Sequence, residues 1–283
     1  MTFIDRYEDA LRIAAFVGVL IVMIQLEYLI PRKARSLPRA ERWVTNMLLV
    51  VINTATLKLV MPILAVAMAT IANDKGWGLL TFIDLPLWVE IPLAIVILDM
   101  CVYLQHWASH KIPILWRFHQ VHHADRDIDV TTGLRFHPIE ILFSMTYKLL
   151  LVIALGPAVV AVIIFEVTLN ASAMFNHSNV RLPIALDKIL RKVIVTPDMH
   201  RVHHSVIRLE TDSNYGFFLS VWDRLYRTYI AQPRDGHDDM KIGLLAYQTY
   251  EPASIAWSLL LPFKSRPPID PTVKPSIDST EQP

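Results

Sequence analysis

Three short segments hold most of the imidazoles in this 283-residue chain. "HWASH" places His106 and His110 four residues apart, "HQVHH" holds His119, His122 and His123, and "HRVHH" repeats the pattern at His200, His203 and His204. Spacings of three and four bring side chains to one face of a helix. His137 in "RFHPIE" and His177 in "FNHSNV" stand alone between the boxes, whereas His237 in "RDGHDD" reads as a solvated loop residue. Imidazole is a neutral ligand that suits iron, zinc, copper or nickel, and one ion rarely takes more than six ligands. Eight to ten imidazoles therefore imply two metal ions. Packed so closely, they would repel one another on protonation unless cations held them neutral. The single cysteine, Cys101, has no partner for a disulfide, a redox pair or a thiolate cluster, so the ligands must be nitrogen and oxygen. Among side chains that could orient the imidazoles, Asp99 lies two helical turns before His106 in an apolar run, where an imidazole or an arginine is its expected partner. Glu140, Asp198 and Asp223 could accept a second ring N–H, and Asn176 precedes His177.

The elements that must carry these residues are apolar. Hydrophobic residues make up 53% of the chain and the mean hydropathy is +0.38, beyond ordinary soluble composition. With 27 basic against 26 acidic residues the formal net charge is only +1, which gives no nucleic-acid footprint. Bilayer crossings need about 20 mostly apolar residues. Such runs occur at 13–30, at 44–72 with Lys58 and Pro62 predicting a kink, and at 85–103. The run at 139–175 is too long for one crossing, and Gly156-Pro157 divides it into a hairpin. Only a hairpin returns the chain to the same side, so that the first two boxes can meet the third. The loop "PRKARSLPRAER" carries five basic residues against Glu41 and predicts a cytoplasmic face, with the N-terminus outside and the histidine boxes inside. The first run lacks a basic leader and a cleavage site and is expected to stay. The fold class predicted is an all-α integral membrane protein with about four transmembrane helices, two of them the hairpin at 139–175. A cytoplasmic helical cap is expected over about 182–232, followed by a membrane-surface segment at "SIAWSLLLPF". Residues 1–262 read as one domain and 263–283 as a disordered Pro-rich tail.

In "HWASH", "WRFHQVHHAD", "RFHPIE", "FNHSNV", "TPDMHRVHHS" and "NYGFFLSVWDRLYRTY", the chain resembles the fatty acid hydroxylase (sterol desaturase) superfamily of membrane di-iron oxygenases, over about residues 99–229. The resemblance implies membrane anchoring, two iron ions held by His106, His110, His119, His122, His123, His137, His177, His200, His203 and His204, and O2 as oxidant. Zinc is a possible occupant on purification. It also implies a lipid or sterol-like substrate entering from the bilayer, to be hydroxylated or desaturated, with ether-lipid oxygenation as a variant. "WDRLYRT" has Arg227 where a glycine is common, and the fourth residue after His177 is Arg181 rather than a second histidine, a gap His137 is expected to fill. No fused cytochrome b5 domain is evident. An external donor of the ferredoxin, cytochrome b5 or reductase type is therefore expected, in a bacterial inner membrane with the active site facing the cytoplasm. The reading from another class is a metal transporter or zinc-binding membrane protein. Transport sites place ionisable ligands at helix breaks inside the bilayer, whereas these boxes follow the apolar runs.

Overall fold

The computed structural model describes residues 3–265. Beyond its first three residues, the tail expected at 263–283 lies outside the described part. Among the described residues there are helices, turns and three isolated bridges but no strands. Five segments are long and apolar enough to cross a membrane: Tyr7–Leu29, Arg39–Phe82, Leu87–Lys111, Pro138–Leu155 and Val159–Asn176. They are the three runs read at 13–30, 44–72 and 85–103 together with the two arms of the hairpin, five where about four were expected, and each arm is a helix of 18 residues. At 1.5 Å per residue each arm is about 27 Å long, close to the thickness of the hydrocarbon layer.

Helix α1 (Phe3–Leu29) packs along α7 (Val159–Asn176). The second segment is broken into α2 (Arg39–Val60) and α3 (Ala65–Lys75). Pro62 restricts the residue before it, and Met61 takes φ −128° and ψ 85°, outside the helical region. Helix α4 (Leu87–Lys111) then returns and turns at Ile112 into α5 (Pro113–His123), with Pro113 at the first helical position. Helix α6 (Pro138–Leu155) and α7 form the hairpin.

The hairpin turn is set by two glycines. Gly156 ends α6 in the left-handed region at φ +58°, and Pro157 prevents continuation. A Cβ on Gly78 would overlap the Gly156 backbone, and one on Gly156 would overlap the Trp77 carbonyl. Asn73 Nδ2 donates to the Pro157 carbonyl at 2.9 Å, and the Ala158 N–H donates to Glu90 at 2.7 Å. The loop after α3, the start of α4 and the hairpin turn thus share one end of the bundle. Between the ends, Ala65, Val66 and Ala69 of α3 interlock with Val152 and Val162 of the hairpin. Small side chains let the backbones approach without a polar partner.

The histidine boxes gather at the other end. There α8 (Ile184–Leu190) and α9 (Pro197–His203) lie with the 124–136 segment and the short helices of the C-terminal part. Glu27 at the end of α1 accepts the N–H groups of Val130 and Asn179, at 2.7 and 2.9 Å. Arg42 of α2 pairs with Asp125 and Asp129 at 2.6 and 2.7 Å, wholly buried. Burial alone would raise the Asp125 carboxyl, but the Arg42 guanidinium outweighs it and brings it down to about 2. "SIAWSLLLPF" forms the helix Ile255–Leu260, and Trp257 and Leu261 join Leu49, Val121 and Ala124 in a buried apolar cluster beneath α5.

Candidate metal centre

Nine of the ten candidate ligands converge. His106, His110, His119, His123 and His203 form one group, and His122, His177, His200 and His204 form a second; within each, one ring nitrogen per residue lies within 4.8 Å of all the others. All nine are buried. The groups adjoin: the rings of His123 and His204 stack at 4.5 Å, and those of His200 and His203 at 5.0 Å. Each HxxHH box feeds both groups. In the first box His119 and His123, four apart, go to one group and His122 to the other; in the second His203 goes to one, and His200 and His204 to the other.

The hydrogen bonds of the outward nitrogens decide what the inward ones carry. Nδ1 of His106 donates to the Tyr215 carbonyl at 2.7 Å, and Nδ1 of His119 to Glu140 at 2.5 Å. Nδ1 of His122 and of His177 face the Arg135 and Ala173 carbonyls at 3.2 and 2.7 Å, and His203 Nδ1 faces the Ser213 carbonyl at 2.6 Å. A carbonyl only accepts, so the proton of each of these neutral rings sits on Nδ1 and the Nε2 lone pair points inward. His106 and His119 then oppose two lone pairs at 3.1 Å, as do His122 and His177 at 3.0 Å. The inward nitrogens of His110, His203 and His204 have no protein partner. Lone pairs converging at such distances repel unless a cation lies between them. Ligands about 2.1 Å from a metal at right angles stand about 3 Å apart. The donor set therefore fits two metal ions. Burial, with the neighbouring imidazoles adding to it, pushes His122, His123, His200, His203 and His204 well below the usual 6.5, and His177 to about 4.

His137 is not brought to either group. It caps α6, its Nδ1 accepting the Ile139 N–H at 3.1 Å and its Nε2 donating to the Leu259 carbonyl at 3.3 Å. Both nitrogens are used, so it does not fill the position expected of it. Asp99 meets neither an imidazole nor an arginine. It accepts from Trp222 Nε1 at 2.8 Å and the Leu219 N–H at 3.1 Å, pinning the 219–222 turn to α4. Asn176 donates to the Phe217 carbonyl at 2.8 Å. Asp198 pairs with Arg201 at 2.6 Å and Arg32 at 3.0 Å, tying α9 to the basic loop. Nor does Asp223 touch a ring. It accepts the N–H groups of Tyr215 and Gly216 at 2.7 and 3.0 Å, fixing the turn whose Tyr215 carbonyl holds His106. Burial raises the Asp223 carboxyl to about 6. His237 is buried at the cap surface rather than solvated, 3.7 Å from Asp198.

Of the acidic side chains singled out, Glu140 alone accepts from an imidazole of the two groups. The other orienting acceptors are main-chain carbonyls, which no residue type announces. Asp212, 3.5 Å from His110 Nδ1, was also not singled out. Neither was Arg135, whose buried guanidinium bonds the Val121 carbonyl, Asn46 and Ser258 and so holds α5 in place. Arg227 ends the helix Val221–Leu225 with φ +59°, the Thr228 N–H returning to the Asp223 carbonyl. The left-handed backbone there explains why a glycine is common at this point.

A cavity of about 460 Å³ starts at His106 and His119 and runs between α2, α4, α6 and α7 to Lys148 and Glu166. A second, of about 280 Å³, lies beside it between α4, α5 and α6, lined by Leu104, Leu115, Phe118 and Phe143. Both share Gln105, Ser109, Glu140, Ser144 and Tyr147, and Gln105 donates to Ser144 at 2.5 Å.

Residues 91–228 match the model of the fatty acid hydroxylase family. An ornithine lipid hydroxylase of Rhizobium tropici is 31% identical over 158 residues, 56% of this chain and 46% of the relative. Human alkylglycerol monooxygenase is 27% identical over 163 residues, 56% of this chain and 34% of the relative, and the zebrafish (Danio rerio) alkylglycerol monooxygenase is 32% identical over 157 residues, 54% of this chain and 34% of the relative. The chain thus spans less than half the length of these relatives. No solved structure matches it. The matched region contains all nine converging histidines on an all-helical membrane scaffold, and through residues 91–228 the chain matches the fatty acid hydroxylase family.

Proposed function

We propose that this protein is a membrane oxygenase that holds two metal ions, most simply iron, and uses O2 to hydroxylate a C–H bond of a lipid drawn from the bilayer. The observation that carries the reading is the junction of the two features above: the five-histidine group opens, at His106 and His119, directly into a cavity between membrane helices. His106, His110, His119, His123 and His203 would hold one ion, and His122, His177, His200 and His204 the other. When bound, the ions supply the reductive activation of O2 that lets one oxygen atom enter an unactivated C–H bond. The protein's own part is positional. The side cavity admits an alkyl chain from the lipid, the walls of the main cavity hold it straight, and burial of the centre keeps water away. Glu140 keeps the His119 proton on Nδ1, so Nε2 stays a ligand. Relatives named as an ornithine lipid hydroxylase and alkylglycerol monooxygenases support a lipid substrate. Electrons come from a separate donor, and residues 1–262 act as one unit. The basic loop at 31–42 lies at the histidine end, which supports a cytoplasm-facing site.

The test pairs metal with product. Purified chain should carry about two metal ions, and His203→Ala should lose metal together with activity. Lipid extracts of expressing cells grown under ¹⁸O2 should contain a labelled hydroxyl that His203→Ala cells lack. An unlabelled lipid pool, or a His203→Ala chain with full metal content and activity, would sink the proposal.

A further inference from the structure

The main cavity ends on charge. Lys148 of α6 and Arg12 of α1 both reach Glu166 of α7, at 2.8 and 2.5 Å, and Arg12 also pairs with Glu8 at 3.0 Å. Glu166 is only 5% exposed, and Arg12, Lys148, Glu166 and Asn170 all line the cavity. Ionisable groups at this depth are expensive to place and mark function more often than architecture. A chain occupying the cavity from the histidines inward would bring a bare methyl terminus against this cluster and strip it of water with nothing in return.

We infer that the Lys148–Glu166–Arg12 cluster is a binding subsite for a neutral oxygen acceptor on the substrate, a hydroxyl, ether or carbonyl, held far from the carbon that is oxidised. The charge balance selects the class. Two cations meet two carboxylates, so the cluster is formally neutral, and a carboxylate or phosphate would add an uncompensated charge inside the bilayer. The Lys148 ammonium has three donors and gives one to Glu166. Helix geometry sets the spacing. Lys148 lies eight residues beyond Glu140 on α6, about 12 Å along the axis, and Glu166 lies seven before Ala173 on α7, about 10 Å. The substrate is then a lipid with a neutral oxygen about 10–12 Å from the position presented to His106 and His119. The cluster thereby fixes which carbon is reached. This inference rests on the proposed entry of a lipid chain into the cavity.

The test is binding without turnover: metal-loaded full chain in nanodiscs, under argon and without reductant, titrated with 1-dodecanol, dodecane or dodecanoate. 1-Dodecanol should bind about tenfold more tightly than dodecane, the effect of one hydrogen bond to a charged group. Lys148→Met should erase that preference and leave dodecane binding unchanged, whereas Lys148→Arg should keep it. Glu166→Gln, which leaves the cluster with a net positive charge, should bind dodecanoate more tightly than the wild type does. Equal binding of dodecanol and dodecane by the wild type overturns the inference, as does tightest binding of dodecanoate, a Lys148→Met chain that keeps the preference, or no binding of any probe. Dodecanol preference without a labelled product in cells overturns the oxygenase reading alone, and a labelled product without the preference overturns this inference alone.

Discussion

At the scale of single residues, the centre depends on which nitrogen of each ring carries the proton. Glu140 sets this for His119 through the 2.5 Å contact, and removing such a partner costs about 10–100-fold in metal affinity. Glu140→Leu should lower metal retention by that order against a chelator, measured by metal analysis of the purified chain. His137→Ala is the contrasting case: it should keep both ions and lose about 1 kcal/mol of stability with the α6 cap. A second residue prediction concerns Arg227, which adopts φ +59° where a side chain is disfavoured. Arg227→Gly should raise stability by about 0.5–1 kcal/mol, visible as a higher melting temperature in detergent. The histidine boxes were legible because imidazoles three and four apart declare their shared face. The carbonyls of Tyr215, Arg135, Ala173 and Ser213 were not, since a main-chain acceptor has no sequence signature.

Among the elements, the hairpin is what joins the boxes. α6 leaves the cap after His137 and α7 returns to place His177 beside His122, with Nε2 atoms 3.0 Å apart. Gly156 sits at the far turn with φ +58° against the Trp77 backbone. Gly156→Ala should cost about 1–3 kcal/mol through the strained backbone and the lost fit, read as a drop in melting temperature with the metal stoichiometry of the folded fraction unchanged. The hairpin was visible in the sequence from the Gly-Pro pair inside an overlong apolar run. The break at Met61 followed from Pro62, but that each hairpin arm reaches full crossing length emerged only once the helix ends were defined.

For the molecule as a whole, the buried imidazole cluster makes acid its weakness. Burial first, and mutual repulsion second, hold His122, His123, His200, His203 and His204 neutral, and His177 down to about 4 from an ordinary 6.5. A histidine with a depressed folded pKa binds fewer protons folded than unfolded, so its contribution is fully present above pH 6.5 and is lost as pH falls toward the folded value. Bound cations deepen the trend, because protons compete for the same lone pairs. Melting temperature and metal content should both hold from pH 8 to 7 and fall together between about 6.5 and 4; constant values across that window would contradict it. The sequence by itself determined the membrane setting, the clustered imidazole donors and the need for a doubled-back hairpin, since apolar length and imidazole spacing are local properties. Only the tertiary structure decided that His137 caps a helix, that Asp99 and Asp223 pin backbone turns, and that the five-histidine group rather than the four-histidine group meets the cavity. The Asp99–Trp222 and His137–Leu259 contacts join residues more than 120 apart, and the cavity lies between four helices, so packing between elements decides them; the Asp223 turn is local, but its acceptors are main-chain N–H groups that no residue type announces.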